Sequence, residues 1–94
     1  MSSQFSHLSE EDKIKIKVKL SAYYREIVGK KELNMELKEK ITVNELMKML
    51  VAEYLKLSEF TDYTMILLNC VYSDGTELIK DGDEVALFPP LDGG

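Results

Sequence analysis

The 94-residue chain has no tryptophan, one histidine, one cysteine and two prolines. Each scarcity closes off a class of chemistry. The lone thiol, Cys70, has no partner for an internal disulfide and is too few for an iron–sulfur cluster or a structural zinc site. The lone histidine, His7, falls in the polar opening "MSSQFSHLSEEDK", where a solvated ring is expected and not a catalytic one. No apolar run approaches the roughly 18 residues that cross a bilayer, and the opening lacks the charged and apolar regions of a signal peptide, so a cytoplasmic protein with no membrane partner is expected. Positive charge is also in deficit, 12 Lys and Arg against 17 Asp and Glu, for a net charge of −5. That balance argues against a nucleic-acid partner, whose phosphates are met by Lys and Arg, and favours a partner with a basic surface.

Hydrophobic residues at 45% and charged residues at 31% give a globular composition, with room in one small domain for one sheet and one good helix. Residues 1–12 read as a mobile polar leader, 13–88 as the domain and 89–94 as an extended tail. "KIKIKVKL", Lys13 to Leu20, alternates strictly, placing Ile14, Ile16, Val18 and Leu20 on one face of a half-buried strand. Its lysine face is expected to blunt a sheet edge or to meet solvent. In "SAYYREIVG", Ser21 is placed to cap a short helical turn that Gly29 ends. "ELNMELK" alternates again and predicts a second strand, antiparallel to the first. "TVNEL" has the capping-box spacing, Thr42 with Glu45. Val43, Leu46, Met47, Leu50 and Tyr54 then recur at helical steps, so the helix should lay one stripe on the sheet and end near Leu57, with its methionines as core filler.

"TMILLNCVY", Thr64 to Tyr72, is apolar on both parities and predicts a single central strand in which Cys70 is a buried, inert thiol. Asp74-Gly75 and "KDGDE" are turns, the latter preferred over a metal site for Asp81, Asp83 and Glu84, and "EVALF" is the last strand. A short extra strand is placed around Thr76 to Leu78. A helix crossing between strands in so short a chain packs on one face of a mixed sheet, which gives an α+β, ubiquitin-like β-grasp of four to five strands with one main helix.

The end, "FPPLDGG", is chemically the most specific stretch. Pro89 and Pro90 fix φ and favour an extended path. Gly93 and Gly94 lack the Cβ that would obstruct a narrow channel. Six residues from Pro89 reach at most about 20 Å, enough to enter a partner's active site.

"AYYREIVG", "TVNELMKML", "LLNC" and "DGDEVALFPPLDGG" together resemble the MoaD/ThiS family of sulfur carriers, most closely its MoaD branch, over roughly Ile14 to Gly94. The resemblance implies that Gly94, preceded by Gly93, is adenylated by a MoeB/ThiF-like enzyme using ATP and magnesium, and that no cofactor is bound by this chain itself. A sulfur-donor system would turn the adenylate into a thiocarboxylate. Sulfur would then pass to a pterin on a MoaE-like large subunit, making this chain the sulfur-donating small subunit of molybdopterin synthase and no catalyst alone. Phe88, Pro89, Pro90, Leu91 and Arg25 are implied as partner-binding residues. A ubiquitin-like modifier forming isopeptide bonds through Gly94, and a sulfur carrier for thiazole or tRNA thiolation, stand as alternatives.

Overall fold

A computed structural model describes residues 13–89. The leader 1–12 and Pro90, Leu91, Asp92, Gly93 and Gly94 lie outside the described residues. Alternation in "KIKIKVKL" becomes strand β1 (Ile14–Leu20), whose four apolar side chains are all buried. It pairs antiparallel with β2 (Glu32–Leu37), from Ile14 opposite Leu37 to Lys19 opposite Glu32. The chain continues through β3 (Met65–Leu68), β4 (Val71–Tyr72) and β5 (Glu84–Phe88). The sheet order is β2-β1-β5-β3-β4, with β5 parallel to β1 and antiparallel to β3.

β1 is therefore no sheet edge, and its lysines do not blunt one. They lie on the outer face between β2 and β5 and meet glutamates diagonally across the strands, Lys17 to Glu32 at 3.7 Å and Lys19 to Glu84 at 3.5 Å. Such exposed pairs contribute roughly 0.2–1 kcal/mol each.

One helix covers the inner face. In α2 (Val43–Glu53), the capping box forms as its spacing predicts: the Glu45 amide donates to Thr42 Oγ1 at 3.1 Å, and the Thr42 amide donates to Glu45 Oε1 at 2.8 Å. Val43, Leu46, Met47 and Leu50 form its buried stripe over Val18, Val85 and Leu87. Met49, one position off that stripe, is 44% exposed, so only Met47 of the helix methionines fills the core. The α-helix stops at Glu53, short of Leu57, because Tyr54 leaves helical geometry at φ −124° and ψ 89°. A 3₁₀ turn (Leu55–Glu59) then carries Leu57 inward and brings Phe60 to stack on Tyr23, ring centroids 4.4 Å apart.

The expected single strand from Thr64 to Tyr72 is two. Asn69 and Cys70 have φ of 52° and 70°, the pattern of a two-residue hairpin turn between Leu68 and its partner Val71. Asn69 suits this place because its side chain continues the sheet: Oδ1 accepts from the Glu84 amide and Nδ2 donates to Asp83 Oδ1, both at 2.9 Å. Cys70 is consequently exposed at a turn and not buried in a strand, and the central strand is β5. Thr76 to Leu78 forms no strand, only one bridge from Leu78 to Thr42. The "KDGDE" turn uses its carboxylates on backbone amides, Asp81 Oδ1 on that of Lys15 and Asp83 Oδ2 on that of Lys80, both at 2.7 Å. Among the described residues no helix is long and apolar enough to cross a membrane.

The hairpin yields a test. A β-carbon at positive φ is unfavourable, and Cys70 occupies the position where such turns favour glycine. Cys70→Gly should raise stability by about 0.5–1 kcal/mol, seen as a higher urea midpoint at unchanged slope. An unchanged or lower midpoint would refute the strain assigned to this residue.

Candidate functional site

Strand alternation sorts β5 into two faces. Val85 and Leu87 are fully buried against α2, whereas Glu84, Ala86 and Phe88 point to the outer face, where Phe88 is 39% exposed. Register then identifies its neighbours. Phe88 stands beside Met65, and one step back Lys19, Ala86, Leu67 and Tyr72 form a row across four strands. Tyr72 is 64% exposed. The outer face thus carries an apolar strip that begins at the end of β5, bordered by Lys19.

On the β1 side of that end lies an open depression of about 320 Å³ bordered by Lys19, Ser21, Arg25, Lys31, Leu87 and Phe88, with Glu32 the one carboxylate on its wall among the described residues. Three cations against one acid is the reverse of the whole chain's balance. Two other open depressions, about 430 and 500 Å³, are larger. Size does not rank them above this one, because Arg25, Phe88 and the departure of the chain toward "PPLDGG" meet only here.

Arg25 reaches the site from α1 (Tyr23–Val28), and the way α1 is held explains its placement. Ser21 was expected to cap this helix. Instead Ala22 occupies the cap position at φ 53° and ψ −132° with no side-chain cap bond, and Ser21 Oγ donates to the Leu87 carbonyl at 3.1 Å. The helix ends as expected at Gly29, φ 85°, whose amide donates to the Arg25 carbonyl at 2.7 Å. Behind it the rings of Tyr23, Tyr24 and Phe60 pack together. Tyr24 is 1% exposed; its hydroxyl lies 2.8 Å from Thr64 Oγ1, which itself donates to the Phe60 carbonyl. Burial pushes the Tyr24 phenol up to about 12, against a partial opposing effect of the Thr64 hydrogen bond.

Of the residues implied by the resemblance, the structure brings Arg25 and Phe88 to one depression and places Pro89 immediately after β5. Pro90, Leu91, Gly93 and Gly94 fall outside the described residues. The outer row of Met65, Leu67 and Tyr72 was not foreseen, although its signal was present: a strand apolar on both parities has a second apolar face to account for.

A mixed five-stranded sheet with one main helix packed on one face defines the ubiquitin-like β-grasp class. Residues 18–94 match the model of the ThiS family, and the chain belongs to that family. It is 35% identical over 83 residues to a molybdopterin synthase sulfur carrier subunit of Chlamydomonas reinhardtii, covering 86% of this chain and all of the relative. It is 30% identical over 92 residues to small archaeal modifier protein 3 of Haloferax volcanii, with 86% and 100% covered. Among solved structures it is similar to a putative molybdopterin converting factor subunit 1 of Pyrococcus furiosus, with a TM-score of 0.75, 31% identity, and 83% of this chain and 99% of the other covered. It is also similar to a chain from a complex of subunits 1 and 2 of the molybdopterin-converting factor of Helicobacter pylori, at TM-score 0.57 and 27% identity, covering 86% and 100%.

The Tyr24 phenol fixes the sign of one pH effect. It stays neutral in the fold to about 12 but ionises near 10 once unfolded, so its stabilising contribution is complete below pH 10 and is lost as pH rises from 10 through 12. Tyr24→Phe should melt lower than the parent at pH 8, and the gap should narrow by pH 11. A gap that widened would contradict the burial of this hydroxyl.

Proposed function

We propose that the chain is a sulfur carrier that serves as the small subunit of molybdopterin synthase, with sulfur held on the Gly94 carboxyl. A carboxylate is a poor electrophile, so the first step joins Gly94 to AMP, releasing pyrophosphate from ATP on a MoeB/ThiF-like enzyme that supplies the magnesium and phosphate contacts. A persulfide sulfur then attacks the acyl carbon and AMP leaves. A thiol cleaves the resulting acyl persulfide, supplying two electrons as it becomes a disulfide, and leaves the thiocarboxylate. On the larger, MoaE-like subunit the thiocarboxylate sulfur attacks a carbon of a pterin substrate, displacing an oxygen substituent from it. Water then cleaves the acyl–sulfur bond, which leaves the sulfur on the pterin and restores the Gly94 carboxylate. A β-carbon on either terminal glycine would obstruct approach to the acyl carbon in both channels.

The observation that carries this reading is the construction of the β5 end. The central strand finishes on an outward phenylalanine that borders one depression together with Lys19, Arg25 and Lys31, and hands the chain directly to Pro89, the first residue of the proline-glycine sequence. A docking surface built there lies beside the segment that has to reach the partner's active site. The names of the relatives from Chlamydomonas reinhardtii and Pyrococcus furiosus support the same role, and the two-subunit complex from Helicobacter pylori supports the partner. The family match extends through Gly94 itself. The likeness to an archaeal modifier protein favours one second reading, in which the same adenylate ends as an isopeptide bond to a lysine.

Incubation with the adenylating enzyme, ATP and sulfide tests the carrier chemistry. Gly94→Ala should yield no thiocarboxylate while melting at the parent's temperature, and a variant thiolated at the parental rate would refute the proposal. Phe88→Ala should weaken binding of the large subunit by roughly 10- to 100-fold with little change in melting, as expected for an exposed aromatic anchor. Equal affinity would remove Phe88 from the docking surface.

A further inference from the structure

Ser21 was expected to serve its own helix, yet its hydroxyl is spent elsewhere. The parallel ladder between β1 and β5 ends with Leu20 opposite Leu87. Ser21, the next residue, reaches across with Oγ to the Leu87 carbonyl, 66 positions away in sequence. That carbonyl belongs to the peptide joining Leu87 to Phe88, so holding it fixes the plane from which the Phe88 side chain and Pro89 depart. Beyond this point β1 offers no further partner and the β3 side ends one residue later, at Phe88 opposite Met65; the next residue is a proline, whose nitrogen donates no hydrogen bond.

The position of Ser21 is itself over-determined. Ala22 has φ 53° and ψ −132°, a region that L-residues other than glycine rarely adopt, and the Tyr24 amide donates to the Ser21 carbonyl at 3.1 Å across it. This closes a tight turn of the type that normally places glycine where Ala22 stands. Tyr24, fully buried and bonded to Thr64, anchors the far side of the turn. Backbone strain retained beside a functional site by surrounding packing is a recognised mark of preorganisation. Here the packing around Tyr24 holds the turn, the turn holds Ser21, and Ser21 holds the β1 side of the end of β5, opposite the side where Met65 pairs with Phe88.

We infer that Ser21 is a positioning residue that aims the Phe88–Pro89 exit, and with it the carboxyl-terminal segment, at the adenylating enzyme. The inference rests on the sulfur-carrier function proposed above. It concerns the fraction of docked complexes whose tail is correctly directed and not docking itself, since the aromatic and cationic surface remains without the hydroxyl. Effects should therefore fall on kcat and leave KM in place.

Steady-state thiocarboxylate formation with the adenylating enzyme, ATP and sulfide, measured on the full chain well below its melting temperature, separates these. For Ser21→Ala, kcat should fall about tenfold with KM within about twofold of the parent, and Ser21→Thr, which keeps the hydroxyl, should restore kcat. Nitrogen relaxation of the free protein gives a readout independent of the reaction: the Phe88 amide order parameter should drop in Ser21→Ala and recover in Ser21→Thr. An unchanged order parameter, an unchanged kcat, or a threonine variant as impaired as alanine would each overturn the role of Ser21. A parent protein that forms no thiocarboxylate while Ser21→Ala still loosens Phe88 would instead overturn the proposed function, and with it the aim at an adenylating enzyme, and leave only the restraint of the Phe88–Pro89 exit by Ser21.

Discussion

Parallel pairing of β1 with β5, Lys17 opposite Glu84 through Leu20 opposite Leu87, is the constraint on which the rest of the structure depends. It places the last strand in the middle of the sheet, between the first strand and β3, so that β5 is hydrogen-bonded on both sides. Its inward residues Val85 and Leu87 meet Val18, Leu20 and the stripe of α2 in one core. A chain leaving such a strand starts from one of the best-fixed places in the molecule. The turn after β1 and the helix that carries Arg25 are built around that same end, through Ser21 and the Leu87 carbonyl.

The two faces of the sheet divide the labour. One is covered by α2 and excludes water, with Val18, Val43, Leu46 and Leu87 at zero exposure. The other carries lysine–glutamate pairs over β2, β1 and β5 and turns apolar toward β3 and β4, at Leu67 and Tyr72. The net charge of −5 is therefore not spread evenly, and the depression where Phe88, Arg25 and Lys31 converge has a cationic border. Charge arranged in this way orients an approaching partner more than it adds affinity, since exposed pairs are screened over about 8–10 Å at physiological salt.

Much of this architecture was legible in the sequence where a period or a cap carried it. Alternation from Ile14 to Leu20 and the Thr42–Glu45 box gave β1 and the start of α2 because both are local devices that packing reinforced. Local signals failed where a side chain bonded far away. Ser21 precedes a helix and looks like its cap, but the Leu87 carbonyl lies within reach only after β5 has folded beside β1. Asn69 and Cys70 sit inside an apolar run and look like strand, but the Asn69 side chain bonds to Asp83 and Glu84, and the chain reverses there. Arg25 and Phe88 came from family resemblance, and only their meeting at one depression is a product of the fold.

Whether Gly94 carries sulfur is tested most directly by the intact mass of the untagged protein isolated from its native host. A sulfur carrier should show a fraction heavier by the replacement of one oxygen by sulfur, with the difference localised to Gly94 by fragmentation. An unshifted Gly94, accompanied by Gly-Gly remnants on lysines of other proteins, would contradict it.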